Sequence, residues 1–296
     1  MVSTVVAGLD GSAESLAAAE WAAREAELRG LPLRLVHARE PVSDFLVQAP
    51  TAGAETQHAW SERIPREAAD RLRLRHPGVD VTVEQLDGLP HEVLSGAARD
   101  SGLIVLGSRG LSGVGGFLLG SVGQAVVARS EQPVVLVRAG ERAPAAHTGS
   151  PAGTPVRPVV LGLDTGSPHG AVIEFAFDAA LRRETGLTVV HGWNPPPSSA
   201  YALAADPGLL DDLSKERAET LAEALRPWRR RFPTVEVTER SRNGSVADHL
   251  VNASREASLL VVGRRVRRSP FGVHIGPVTH SVLHHATAPV AVVAHD

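Results

Sequence analysis

The sequence predicts an α/β fold of two tandem doubly wound domains, each a mostly parallel five-stranded sheet with helices on both faces. Three observations predict it: a repeat spanning most of the chain, short apolar strands alternating with helices, and a glycine-rich loop after the fourth strand. The repeat reorganises the chain and comes first. "VVAGLDGSAESLAAAEWAAREAELRGLPLRLVHA" (5–38) aligns without a gap on "VVLGLDTGSPHGAVIEFAFDAALRRETGLTVVHG" (159–192), setting Gly8, Asp10 and His37 on Gly162, Asp164 and His191. Further on, "GLIVLGSRG" matches "SLLVVGRRV" and "QPVVLV" matches "APVAVV". The stretch "RAGERAPAAHTGSPAGTPVRP" (138–158) is rich in Pro, Gly and Ala and has no periodicity, so it reads as a linker. The domains are therefore 1–140 and 156–296, joined by 141–155.

Taken in order through the first copy, "TVVAGL" is a short β-branched strand. The alanine-rich "SAESLAAAEWAAREAELRG" is a helix with Ser12 as N-cap and Gly30 as its stop. In the second copy Glu184 stands opposite Gly30, and Gly186, two places on, is expected to end that helix. "LRLVHA" is the second strand; an irregular segment to about residue 58 precedes a charged helix through "REAADRLRLRH", whose start Pro65 obscures. "VDVTVEQ" is the third strand, and "PHEVLSGAARDS" a helix with Pro90 in its first turn. "LIVLGS", "SVGQAVVARS" and "PVVLVR" complete the copy as strand, helix and strand. Strands apolar on both faces and separated by helices form parallel sheets covered on both sides, and such sheets bind ligands beyond the carboxyl ends of their strands.

Composition narrows the function classes. Of 296 residues, 43% are hydrophobic and 21% charged, with a formal net charge of −3, so no electrostatic footprint for nucleic acid or anionic lipid is present. Without cysteine there is no disulfide, thiolate metal site or cysteine nucleophile, in keeping with a reducing compartment. "MVSTVVAGLDGS" lacks the basic and apolar regions of a signal peptide, and no run approaches the length of a membrane span. A cytoplasmic protein is expected. P-loop, G-x-S-x-G and HExxH signatures are absent from the sequence.

The loop "LGSRGLSGVGGFLLGSVG" lies at the ligand edge of the first sheet. Gly107 follows the fourth strand, Gly110 comes three residues later, and Gly120 and Ser121 open the next helix. Glycines there admit close approach of backbone N–H groups, and the helix start adds unpaired donors and a positive dipole end, a cradle suited to phosphate. Asp10 ends the neighbouring first strand. A carboxylate repels polyphosphate unless it bonds a ribose hydroxyl or shares a cation; alternatively it caps the first helix and the glycines serve a surface loop.

The spacing Gly107-x2-Gly110-x9-Gly120-Ser121, with "GLDGS" after the first strand and "PVVLV" in the last, resembles the universal stress protein family in its tandem two-domain form, over residues 1–140 and 156–296. The resemblance implies ATP or a related adenine nucleotide, with Mg as a candidate ion, and a regulatory role in stress rather than fast turnover. By position it implies that Asp10 faces the ribose, that Ala38 lies against adenine, and that Gly107, Gly110, Gly120 and Ser121 line the phosphates. Arg109 and Val122 are their neighbours. It also implies pairing through the final strands, hence a homodimer, and protein partners not named by the sequence. A slow ATP-hydrolysing or phosphoryl-transferring enzyme and a nucleotide-independent interaction protein are the alternatives.

The second copy keeps Asp164, Gly263 and Gly276, the residues of any second nucleotide site, but Val266 stands for Gly110 and Pro277 for Ser121. Proline removes a hydroxyl and an N–H donor, so loss or strong weakening of ATP binding is expected there; alternatively the charge of Arg264, Arg265, Arg267 and Arg268 in the loop replaces the backbone donors and an anion still binds. His280, His284 and His285 set two imidazoles one turn apart without a carboxylate, and the expected metal content is none. His37 and His191 are read as satisfying polar groups at a strand end, "RPWRRRF" (226–232) as a helix end, and Trp21 and Trp60 as packing residues.

Overall fold

The computed structural model describes residues 3–40, 53–108, 120–139, 157–196, 198, 206, 208–266 and 275–296. These fall into two compact units, 3–139 and 157–266 with 275–296. The loop positions Arg109 and Gly110, the linker 141–155, Arg267 and Arg268, and the side chain of Trp60 lie outside the described residues.

In the first unit the order is β1 Val5–Leu9, α1 Ala13–Arg29, β2 Leu33–Arg39, α2 Gly53–Arg75, β3 Val81–Asp87, α3 Pro90–Arg99, β4 Leu103–Ser108, α4 Ser121–Arg129 and β5 Val134–Arg138. β1 pairs with β2 on one side and β4 on the other, β2 pairs with β3 and β4 with β5, all parallel. Helices α1 and α2 cover one face of this sheet, α3 and α4 the other. The strands are apolar because both faces are covered: Val5, Val6, Ala7, Leu33, Leu35, Leu103 and Ile104 are fully buried. Each buried leucine or isoleucine contributes about 1.5–3 kcal/mol. The chain leaves β1 toward β2 in one direction and reaches β4 in the other, so a crevice opens outside the carboxyl ends of β1 and β4.

The second unit repeats this plan with β6 Val159–Gly162, α5 Gly170–Arg182, β7 Leu187–Trp193, α6 Gly208–Arg231, β8 Val237–Asn243, α7 Val246–Ser254, β9 Leu259–Arg265, α8 Pro277–His285 and β10 Val290–His295. β6 lies between β7 and β9, β8 joins β7, β10 joins β9, and every pairing is parallel. Leu161, Ile173, Phe177, Leu187, Leu221, Leu225, Leu250 and Leu259 are among its most deeply buried large side chains.

Two expectations need correction. Helix α2 starts at Gly53, not near residue 58, and runs through Pro65. Pro65, Ala68, Ala69 and Leu72 fall at i, i+3, i+4 and i+7 and are all buried, so the packed stripe outweighs the hydrogen bond that proline forfeits. Gly186 does not end α5. Gly30 closes α1 at φ 63°, with Leu31 N–H donating to Ala26 O. Its counterpart Glu184 takes the same left-handed conformation at φ 48°, and Thr185 N–H donates to Ala180 O. The backbone turn is the conserved feature of the repeat, and the side chain accommodates it.

Candidate functional site

Asp10 leaves β1 directly into the start of α1, the first wall of the crevice. Its Oδ1 accepts the Ser12 N–H at 2.9 Å and the Ser12 hydroxyl at 2.5 Å, and Ser12 Oγ in turn accepts the Ser15 N–H at 3.2 Å. The Asp10 N–H donates to Ser15 Oγ at 3.3 Å. Asp10 is thus built into the helix cap while remaining exposed at the strand edge. His37 Nδ1 lies 2.8 Å from Leu9 O, and His191 Nδ1 lies 3.1 Å from Leu163 O, so both repeated histidines engage the carbonyl at the end of the first strand of their unit.

The second wall is β4, where Gly107 sits opposite the first turn of α1. A Cβ there would stand 2.6–2.8 Å from the backbone of Glu14 and Ser15. This close approach is favoured by the sequence of α1, whose buried residues are mostly small (Ser15, Ala18, Ala19, Ala22, Ala23 and Ala26), with Trp21 and Glu25 the larger ones. Small side chains let the helix settle onto the sheet, and Gly107 completes the fit. Ala38 closes β2 beside this edge, in register with Leu86 of β3.

The third wall is the N-terminus of α4. Gly120 is its N-cap with φ −60° and ψ 151°, and as glycine it brings no side chain to cap the helix. The Gln124 N–H reaches Gly120 O at 2.9 Å; no acidic residue sits in the first turn, and Ser121 is exposed. No described atom lies within 4 Å of the position a Gly120 Cβ would take. Neither backbone angle nor packing among the described residues demands glycine at 120. A helix N-terminus whose N-cap is glycine, with no described atom over that position, is a place for an anion. Val122, half-buried, is the next residue of this turn.

The second unit builds the same edge differently. Gly276 caps α8 with φ −61° and ψ 155°, superimposable on Gly120, but Pro277 follows and the Thr279 hydroxyl donates to Gly263 O at 2.9 Å. A Cβ at Gly263 would meet not helix backbone but the His295 imidazole, 2.7 Å from Nε2. Helix α5 starts at Gly170, the counterpart of Leu16, about one turn later than α1. Val172, Ile173 and Phe177 stand where α1 has Ala18, Ala19 and Ala23, and Val172 Cγ2 lies 3.3 Å from where a Gly263 Cβ would stand. His169 and His295 stack beside Gly263, ring centroids 3.8 Å apart. Asp164 Oδ1 accepts the Gly166 N–H at 2.9 Å. Nothing in the glycine spacing marks this imidazole pair; the signal was Pro-His in place of the Glu-Ser at the start of α1, together with a histidine at the end of the last strand.

Other candidates are absorbed by packing. Phe177 stacks on Phe232 and Trp228, with centroids 5.3 and 6.3 Å apart, and Arg231 pairs with Glu174, so "RPWRRRF" binds α6 to α5. Trp21 is buried. The His280 and His284 rings lie 4.4 Å apart, tilted by 39°, but among the described residues no group of three or more His, Cys, Asp or Glu is placed to hold a metal ion. No helix among them is long and apolar enough to cross a membrane.

With this geometry in view, comparison with known proteins is specific. The universal stress protein family model matches residues 1–138 and again residues 155–294. A universal stress protein of Mycobacterium tuberculosis (strain H37Rv) is 32% identical over 309 residues, covering 97% of this chain and 94% of its own length. The crystal structure of a universal stress protein from Archaeoglobus fulgidus covers 99% of this chain and 98% of its own, with TM-score 0.71 at 17% identity. A universal stress protein solved in complex with cAMP covers 47% of this chain and 99% of its own, at 30% identity and TM-score 0.38.

Proposed function

We propose, from the premise that the chain belongs to the universal stress protein family, that its N-terminal unit binds an adenine nucleotide, ATP, and signals occupancy through assembly or protein partners. One observation carries this reading: a helix N-terminus, free of acidic residues, carries a glycine that the described fold does not require, beside the β1–β4 crevice. The Ser121 and Val122 amides and the Ser121 hydroxyl would hold phosphate oxygens, and Gly120 would let them approach. Arg109 and Gly110 complete the loop in this reading. Asp10, fixed by Ser12, would face the ribose or share Mg with the phosphates, the ion neutralising charge between them. The Ala38 backbone would lie against adenine. Gly107 acts at one remove, by seating α1 and with it Asp10.

A regulatory binder fits better than a turnover enzyme. Among the described residues around the crevice no lysine stands to pair with a γ-phosphate, and the Asp10 carboxylate is engaged by Ser12. A homodimer paired through the final strands and residence in the cytoplasm belong to the same proposal. The test is equilibrium binding of labelled ATP beside single-turnover hydrolysis on the whole chain. Ser121→Ala is expected to weaken ATP about fivefold, the worth of one hydrogen bond. Absence of ATP binding by the wild type removes the nucleotide assignment, and phosphate release faster in wild type than in Ser121→Ala removes the binder in favour of an enzyme.

A further inference from the structure

The second unit has lost the hydroxyl and one N–H donor at α8, yet its strand edge is dense in cationic and protonatable groups. His169 precedes α5 as its N-cap, without a side-chain capping bond and with no acid in the first turn. Its Nε2 lies 3.2 Å from Ser167 Oγ, which accepts a hydrogen bond from Arg265 Nη2 at 3.1 Å. The His169 ring stacks on His295, whose strand β10 places it in register with Arg265, one residue beyond the buried Arg264. The first unit shares only one of these groups: Arg109 is the counterpart of Arg265, whereas Ser15, Ala13, Ala139 and Ser108 replace His169, Ser167, His295 and Arg264, Ser12 caps the helix, and Glu14 sits in its first turn.

Among the described residues the charged and titratable groups acting on His295 are His169 from the loop before α5 and Arg264 and Arg265 from β9, while its Nδ1 lies 3.0 Å from the O of the next residue, Asp296. The loop carboxylate, Asp164, is hydrogen-bonded to Gly166 N–H, and His191 on β7 is turned to Thr165 and Leu163. Burial first, and then the neighbouring positive groups, hold the His295 pKa below its ordinary 6.5, against the opposing bond to Asp296. A stacked imidazole pair beside two arginines gains most from a proton when an anion arrives to share it.

We propose that the carboxyl edge of the second unit is a proton-linked binding site for a phosphate-class oxyanion, held by His169, His295 and Arg265 through side-chain charge rather than through backbone amides. The anion accepts from Arg265 and from imidazole N–H groups, and it draws one proton onto the stacked pair. The site is independent of nucleotide binding in the first unit.

Sulfate is the probe, because its charge is constant where histidine titrates. Histidine ring signals of the full-length chain are followed by NMR during sulfate titrations at about pH 6.5 and 7.5. The expected result is saturable movement of the His169 and His295 signals, with binding about tenfold tighter at the lower pH, the linkage of one proton. Arg265→Gln is expected to weaken binding at both pH values and keep the pH slope, whereas His295→Asn flattens the slope. Thermal melts confirm that both variants fold, and the wild-type titration stands even where one does not. Inorganic phosphate and adenosine monophosphate are then added as competitors. Parity assigns free phosphate as ligand, and tighter competition by the monophosphate assigns a nucleotide phosphate group; either supports the site. Sulfate that moves neither signal, binding of equal strength at both pH values, a slope that survives His295→Asn in a folded protein, or competition by neither phosphate overturns it.

Discussion

One methyl group distinguishes alanine from glycine, and at Gly107 and Gly120 it would meet opposite surroundings. At Gly107 it would press to 2.6 Å from the α1 backbone, whereas at Gly120 it would meet no described atom within 4 Å. Gly107→Ala is therefore expected to cost about 1–3 kcal/mol of stability, seen as a lowered melting temperature, because backbone cannot move aside as a side chain can. Gly120→Ala is expected to cost less than about 1 kcal/mol, so that any loss of ATP affinity there reports on the ligand and not on the fold. At Glu184 the preference runs the other way, since a residue with a Cβ holds φ 48° where its repeat partner is Gly30. Glu184→Gly is expected to stabilise the protein by about 1 kcal/mol in denaturant melts, through relief of left-handed strain.

Helix α2 is tied to α1 by a polar cluster that closes over its last turn. His76 is buried with Nδ1 3.1 Å from Glu27 Oε2 and Nε2 3.3 Å from Glu20 Oε1, and Arg75 and Arg24 also reach Glu20. Burial raises the Glu20 pKa, but the His76 hydrogen bond and the charges of Arg24, His76 and Arg75 together outweigh it and hold the carboxyl below its ordinary 4.5. The folded state thus favours ionised Glu20. Its stabilising contribution is complete above pH 4.5 and is lost as pH falls from there through the folded value. Melting temperatures across this acid range should fall more steeply for the wild type than for Glu20→Gln, and parallel curves would contradict the coupling. Helix α5 illustrates the reverse dependence of site on element: it starts later than α1, and beside Gly263 the His295 imidazole stands where helix backbone stands beside Gly107.

Across the whole molecule, one unit repeated along the chain carries two unlike carboxyl edges. The first presents a helix start with glycine as N-cap and an exposed serine; the second presents proline at that start and histidines beside it. Equilibrium dialysis with ATP is expected to give about one nucleotide per chain, not two, because proline at the helix start removes donors that charge alone does not restore. Ser121→Ala should weaken that single site, and Pro277→Ser should leave its affinity unchanged. A stoichiometry of two would show that the second edge binds nucleotide despite its proline.

The repeat, strand order of types, helix caps at Ser12 and Gly30, and the crevice edge where Asp10, Gly107 and Gly120 lie were legible in the linear sequence. Each is a local matter of hydrophobic period, turn chemistry or spacing, and such signals act over a few residues. The sequence alone also distinguished the two edges, through Val266 and Pro277. Tertiary structure decided what local signals do not contain. It decided that Gly107 is small because the α1 backbone lies against it, that Pro65 stays helical because it lies on a packed stripe, and that Glu184 takes the turn expected of Gly186. It brought His169 and His295, far apart in sequence, into one stack, because parallel strands deliver distant residues to a common edge and packing determines the distances between them.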